Sequence, residues 1–286
     1  MIDRTLVVIS YYDRRPLHNL VELLGTLRQY SAGGEFDACI VVNRTKNETL
    51  SLPELSPIIT HYRHNLGMNI GAWDYGWRVE PGYKNYLFLQ DECYVIRDQW
   101  LAAYRAALDI PNVGMVGESS NLLWNRPWQD LRALFTGVVL PEHMINCREV
   151  NRVDFYLDFL KSNGVDPGGC GKHLRSVVWF FSADVLKAID GFLIGRNYGE
   201  CIAAEIATSK KVEALGLDFV QANDKEEFFY IRHLEYNQDS PGSPFAHDVK
   251  YVDYASVRRL MESKEKELWP LLKLKARTFL KRSAVK

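Results

Sequence analysis

Tyr86-Leu-Phe-Leu-Gln-Asp-Glu-Cys-Tyr-Val-Ile96 decides how this chain is read. Tyr86 to Leu89 form an apolar and aromatic run that suits a buried strand. The run stops at Gln90-Asp91-Glu92, and apolar character resumes at Val95. Open α/β sheets place their ligands at the carboxyl ends of their strands. Buried charges are costly unless paired or bound to metal, so two adjacent acids at the end of a core strand ask for a partner. A hydrated divalent cation with a phosphate would supply one. A strand that simply ends in a solvated turn is the plainer alternative, and both stay open on this stretch alone.

Outward from that strand, the pattern alternates. Thr5-Leu-Val-Val-Ile9 is β-branched and ends in Ser10-Tyr11-Tyr12-Asp13. Pro16 fits a first helical turn, and Leu17, Leu20, Leu24 and Leu27 follow at amphipathic helical spacing. Gly33-Gly34 breaks the chain before a second strand, Phe36 to Asn43. Pro53 and Pro57 bracket a loop, and a third strand follows near Ile58 to Tyr62. A helix is expected over Asn69 to Arg78, then the acid-edged strand, then a helix to Leu108 with Asp98 as its N-cap. Val113 to Val116 and Ser176 to Phe181 are further strands, with Ser182 capping the helix after the second. A helix from about Gly199 to Leu215 precedes strands near Phe219 and at Phe228 to His233. Strands alternating with helices predict an α/β fold, a mostly parallel central sheet covered on both faces. The stretch from about 118 to 175 breaks the rhythm with Trp124, Pro127, Trp128, Pro141 and Gly168-Gly169-Cys170-Gly171. It is read as helices and loops laid over the sheet edge, where a second substrate is recognised.

Composition narrows the class. At 286 residues the chain can bury a proper core in one large domain. Thirty-five basic against thirty-six acidic residues leave a net charge of −1, so no global electrostatic argument for nucleic acid applies. The five cysteines are scattered without any C-x-x-C, which argues against a disulfide framework or zinc knuckle and predicts a reducing cytoplasm. No signal peptide or membrane-spanning run is expected. Fifteen tyrosines and seven tryptophans suit an open polar cleft lined by flat amphipathic side chains. From Lys273 to Lys286 there are six basic residues and no acid, interleaved with Leu274, Phe279 and Leu280. Residues 263–286 are therefore read as a basic tail or helix, either solvated or lying on an anionic membrane surface.

The chemistry-bearing candidates follow from these positions. Asn65-Leu-Gly67-Met-Asn69-Ile-Gly71-Ala72-Trp-Asp74-Tyr-Gly76 places asparagine and close glycines ahead of a helix. That lets backbone amides approach a phosphate or a sugar, and it equally suits a tight contact between helix and sheet. In its order of elements the sequence resembles the GT-A glycosyltransferases, in particular the large inverting family 2 with its bacterial polysaccharide and rhamnosyl-type transferases. Ser10-Tyr11-Tyr12-Asp13-Arg14 looks like the first-strand motif that holds the nucleobase. Asn65-x-Gly67 with Ala72 and Gly76 is similar to that family's glycine-bearing signature, with Asp74 where a second Asn is usual. Gln90-Asp91-Glu92 falls where the family carries its acidic metal motif, and Ser182 to Phe192 resembles the helix and Gly-Phe ahead of the acceptor-site acid. Tyr198-Gly199-Glu200 looks like the start of the catalytic Glu-Asp motif. Gln90, Asn43 and Cys201 each depart from the acid usual at their positions.

The resemblance implies a GT-A domain over residues 1–262 that moves a sugar from a nucleotide-sugar donor to a saccharide or lipid-linked acceptor. It implies inversion, a Mn2+ or Mg2+ ion, a bacterial surface-polysaccharide product and work in the cytoplasm, with contact at the inner membrane an open alternative that rests on the basic tail. The donor would meet Ser10, Tyr11, Tyr12, Asp13, Asn43, Asn65, Gly67, Asn69, Asp74, Gln90 and Asp91. The ion would sit on Asp91, Glu92 and His233, with His247 the alternative to the last. Glu200 is the candidate general base, though it is also placed to cap its helix. Trp124, Trp128, His173 and Trp179 are the candidate acceptor contacts, with Arg175 a further phosphate contact. A non-catalytic sugar-binding domain and a sugar nucleotidyltransferase stand as the other readings.

Overall fold

A computed structural model describes residues 2–45, 58–136, 143–146 and 148–236. The chain divides into two units, Met1–Glu235 and Tyr236–Lys286. The basic tail and His247 lie outside the described residues, as does the loop bracketed by Pro53 and Pro57.

The first unit is built on a seven-stranded sheet. Strand β1 (Ile2–Tyr12) is its hub. Leu6, Val7, Val8 and Ile9 are all fully buried, as a parallel strand covered on both faces requires. Helix α1 (Leu17–Gln29) returns the chain, burying Leu20, Leu23, Leu24 and Leu27. Each such leucine stabilises by about 1.5–3 kcal/mol. Strands β2 (Phe36–Arg44) and β3 (Ile59–His64) then add parallel to one side of β1. After helix α2 (Met68–Val79) the chain reverses direction in the sheet and places β4 (Tyr83–Gln90) parallel to β1 on its other side. The crevice between β1 and β4 is thus a topological switch point.

Beyond β4 come a short strand β5 (Cys93–Val95), helix α3 (Trp100–Leu108) and strand β6 (Val113–Gly117). Asp98 does not cap α3. Gln99 holds that position with φ +62°, while Asp98 Oδ1 accepts the backbone N–H of Ser31 at 2.7 Å. The irregular stretch contains helix α4 (Trp128–Leu134), the small hairpin β7 (Met144–Ile145) and β8 (Arg148–Glu149), and helix α5 (Arg152–Ser162). Strand β9 (Val178–Ser182) follows, inserted antiparallel between β4 and β6. Helices α6 (Ala183–Ala188) and α7 (Tyr198–Ala214), strand β10 (Asp218–Gln221) and strand β11 (Ile231–His233) complete the unit. β10 joins the sheet edge beside β6, and β11 pairs antiparallel with β5.

Neighbouring residues of one strand point to opposite faces, and β9 shows that both faces are covered. Trp179 packs against Trp73 of α2 with ring centroids 5.2 Å apart, while Phe180 meets Tyr104 of α3 at 5.7 Å. The fold is therefore α/β, a mostly parallel Rossmann-like sheet between helical layers, as the sequence predicts. Helix α2 sits close to the sheet because Gly76 offers no side chain. A Cβ there would lie 2.5 Å from Cγ1 of Val8. A second apolar cluster, around Trp124, Leu131, Tyr156 and Ile206, fastens α4 and α5 onto α7.

Candidate functional site at the carboxyl edge of β1 and β4

Register brings the polar strand ends together: Ser10 of β1 pairs with Gln90 of β4, and Tyr12 pairs with Asn43 of β2. The turn after β4 is fastened to β1 by the backbone N–H of Asp91, which donates to the carbonyl of Ser10 at 3.0 Å. Ser10 Oγ donates in turn to the carbonyl of Leu89 at 3.3 Å. Asp91 is 4% exposed, and among the described residues its Oδ2 has no hydrogen-bond partner. Burial pushes its carboxyl up to about 6, against the pull of the nearby Arg15 guanidinium. Glu92 forms an ion pair with Arg15, and its Oε2 lies 3.7 Å from Nε2 of His233.

Gln90 is held on both ends of its amide. Its Nε2 donates to the carbonyl of Ser176 at 2.6 Å, and its Oε1 faces Nε2 of His233 at 3.2 Å. Nδ1 of His233 accepts the backbone N–H of Glu235 at 3.2 Å, so the ring proton sits on Nε2 and points at Gln90. Burial, with Arg15 adding to it, lowers His233 to about 3 and keeps the imidazole neutral. An acid in place of Gln90 would set a carboxylate oxygen against the Ser176 carbonyl, which accounts for the amide there.

The Ser176 carbonyl also accepts from Asn69 Nδ2 at 2.7 Å, so one backbone oxygen ties the end of β4 to the start of α2. Ser176 is itself positioned by Glu205 of α7. The Glu205 carboxylate accepts the Ser176 N–H at 2.7 Å, its hydroxyl at 2.5 Å and Nε2 of His173 at 3.1 Å. Burial pushes the Glu205 carboxyl up, but those hydrogen bonds outweigh it and hold it below the usual range.

The remaining donor-side candidates spread along the same edge. Tyr11 is buried and its hydroxyl donates to the carbonyl of Arg15 at 2.9 Å. The Asp13 carboxylate accepts the N–H and hydroxyl of Thr45 at 2.7 and 2.9 Å, and Tyr12 is half-buried between them in sequence. Asn43 accepts from Arg63 at 2.7 Å and donates to the carbonyl of Met68 at 3.0 Å, bracing the loop that carries the exposed Asn65. Gly67 has φ +76°, and a Cβ there would meet Cγ2 of Ile194 at 2.7 Å, so glycine is required by both conformation and space. Asp74 points away from this edge. It binds Trp77, Arg78 and the backbone N–H of Phe192, holding the turn ahead of α7.

Glu200 lies in a reciprocal helix cap. Asn197 Oδ1 accepts its N–H at 2.9 Å, and its own Oε2 accepts the N–H of Arg196 at 2.7 Å. Of the expected acceptor contacts, the structure turns three inward. Trp179 is 0% exposed inside the main core, Trp124 is buried among Phe135 and Tyr156, and His173 is enclosed between Gly171 and Glu205. Trp128 is half-buried, its indole N–H shared between the carbonyls of Pro167 and Gly168 at 3.1 Å each. Arg15 and Ser176 are the participants that sequence reasoning missed. Ser176 carried no signal, because it meets Gln90 and Asn69 through its backbone carbonyl.

Among the described residues no three His, Cys, Asp or Glu side chains group as a metal site. The free Asp91 oxygen is nonetheless a donor suited to a hard cation. Glu92 would be the second donor, but in this structure Arg15 holds it. His233 presents an N–H rather than a lone pair to the turn. Among the described residues no helix is long and apolar enough to cross a membrane.

No protein-family profile matches the chain, and neither does any curated protein. Among solved structures the chain is similar to a mannosyltransferase, PcManGT, from Pyrobaculum calidifontis, in complex with GDP-Man and Mn2+. The identity is 15% and the TM-score 0.48, over 76% of this chain and 54% of that one, so the chain spans about half the length of that relative.

Proposed function

We propose that this chain is a glycosyltransferase that binds a nucleotide-sugar in the crevice between β1 and β4. The observation that carries the reading is Asp91, a buried carboxylate with an unpartnered oxygen, set at the switch point of the sheet beside an arginine. A protein has no stabilising use for such an oxygen, and a ligand does. The motif resemblance of the first strand, the Asn65–Gly76 segment and the acid-edged turn supports a nucleotide-sugar as that ligand.

In the transfer, the acceptor hydroxyl oxygen bonds to the anomeric carbon as the bond from that carbon to the phosphate oxygen breaks. The nucleoside diphosphate leaves with the electron pair, and the hydroxyl proton passes to a carboxylate. Attack opposite the leaving group inverts the centre. Glu200 is the proposed base, its carboxylate oriented by the cap at the start of α7. Asp91 and Glu92 would hold a divalent cation, Mn2+ or Mg2+. When bound, that ion neutralises charge building on the leaving diphosphate. Gln90, fixed by Ser176 and His233, keeps the turn carrying both acids in place. The acceptor is a saccharide or a lipid-linked sugar, and the product belongs to a bacterial surface polysaccharide.

A thermal-shift panel of UDP-, GDP- and dTDP-sugars with and without Mn2+ tests this on wild type and Asp91→Ala. One donor raises the melting temperature of wild type in an ion-dependent way and leaves the variant unmoved. Absence of any shift across the panel overturns the donor reading. For Glu200→Gln the expected loss is about 10²–10⁴-fold in kcat with donor binding retained. A variant that loses only the ~1 kcal/mol of a helix cap is not missing its base.

A further inference from the structure

Arg15 is unassigned in the mechanism above, yet it pairs with Glu92 of the acidic turn and its charge acts on the neighbouring Asp91. Its backbone is fixed from both sides, the N–H donating to the Tyr12 carbonyl at 2.8 Å and the carbonyl accepting from Tyr11 Oη at 2.9 Å. Pro16 follows and opens α1. The guanidinium therefore starts from a preset point, while its side chain is 40% exposed. One edge lies on Glu92, and a carboxylate engages at most two of the five N–H donors. The side chain's exposure leaves the others open to a further acceptor.

Charge arithmetic states what that arrangement does. Asp91 and Glu92 carry two negative charges, Arg15 one positive and the neutral His233 none, so the turn stands near −1 when both acids are ionised. A cation arriving alone meets one free carboxylate and an adjacent guanidinium that repels it. A diphosphate offers that guanidinium several oxygens of higher charge density, which guanidinium binds bidentately in preference to a lone carboxylate. Resting on the nucleotide-sugar reading, we propose that Arg15 is a diphosphate ligand that guards the carboxylate pair: it holds Glu92 until a nucleoside diphosphate draws it away, and only then are Asp91 and Glu92 both open to a divalent cation. Nucleotide and cation then bind with positive coupling through Arg15, and each tightens the other by the same factor.

The test is Mn2+ binding to the full chain, read from the electron paramagnetic resonance of free Mn2+, for wild type, Arg15→Gln and Arg15→Lys. Without nucleotide, R15Q binds Mn2+ at least about tenfold tighter than wild type, because a like charge beside the ion has gone. In EDTA, calorimetry with UDP, GDP and dTDP shows R15Q binding the preferred nucleotide at least about tenfold more weakly, with R15K between the two. The factor by which that nucleotide tightens Mn2+ shrinks in R15Q. Equal Mn2+ affinity of wild type and R15Q, with nucleotide binding intact in both, overturns the guarding role of Arg15 and leaves the donor reading standing. Failure of wild type to bind any of the three nucleotides, with or without Mn2+, overturns both.

Discussion

Replacing Glu118 by Gln removes the pH dependence that one buried group imposes on stability. Glu118 follows β6 directly, is 1% exposed, and accepts from Tyr104 Oη at 2.7 Å and from the N–H of Ile231 at 3.0 Å. Burial pushes its carboxyl up to about 7, and the hydrogen bonds from Tyr104 and the backbone near β11 only partly oppose this. Against the ordinary 4.5, that corresponds to about 3 kcal/mol between its two protonation states. The native chain holds this proton more tightly than the unfolded chain. Its contribution to stability is therefore complete at pH values below the unfolded pKa and is lost as pH rises through the folded one. The steepest slope is about 1.4 kcal/mol per pH unit, between about pH 5 and pH 7. Gln is isosteric, keeps one acceptor oxygen and does not titrate. Urea unfolding of wild type and Glu118→Gln, followed by tryptophan fluorescence from about pH 5 to pH 8, isolates the group because other titrations cancel in the difference. The variant gains about 3 kcal/mol relative to wild type across that range. A difference that stays constant with pH would refute the reasoning, for it would mean the carboxyl keeps an ordinary pKa in the fold.

Two further substitutions probe the site's frame. Gln90→Glu, which brings the turn nearer to an acidic motif by composition, sets a carboxylate oxygen against the Ser176 carbonyl and lowers stability by about 1–3 kcal/mol. A melting temperature equal to wild type would show that this contact has no weight. Gly71→Ala puts a Cβ 2.0 Å from the carbonyl oxygen of Leu66, a backbone atom that cannot step aside cheaply. The expected loss is about 1–3 kcal/mol, seen as a fall of several degrees in the melting temperature together with weaker nucleotide binding.

The half of the sheet around β1 was legible because β-branched runs, leucine spacing and glycine breaks agree locally at each step from Thr5 to Leu89. The direction of β9 was not legible. Alternation of strands and helices implies a crossover and a parallel strand, but β9 follows a long excursion rather than a single crossover helix and enters the sheet the other way. The strand expected at Phe228 to His233 shortens to Ile231–His233, Phe228 standing at φ +55°, and its partner β5 has three residues, too short for periodicity to show. Candidates at strand ends, such as Asn43, Gln90 and Asp91, were found at one edge because strand termini are visible in sequence. Trp124 and Trp179 were misplaced because a large aromatic carries the same sequence signal in a core as in a cleft. Both fill cores. Asp74 went astray for a helical reason, since its face of α2 turns toward Phe192. Glu205 reaches the site through Ser176, which lies 29 residues away, and no local pattern announces such a partner.

The antiparallel course of β9 has a consequence for how this molecule can change. β6 leaves the sheet at the carboxyl edge, and β9, running the other way, enters from that same edge, with Gly117 and Trp179 as direct neighbours. Everything from Glu118 to Val177 thus hangs from adjacent hinges, like a panel on one side of a frame. Lengthening or shortening that panel ahead of Ser176, whose carbonyl holds Gln90 and Asn69, leaves the register of β1, β2 and β4 unchanged. Its own anchor is α7, through the cluster of α4 and α5. A lineage built on this sheet can therefore vary that panel while keeping Ser176 and the crevice between β1 and β4.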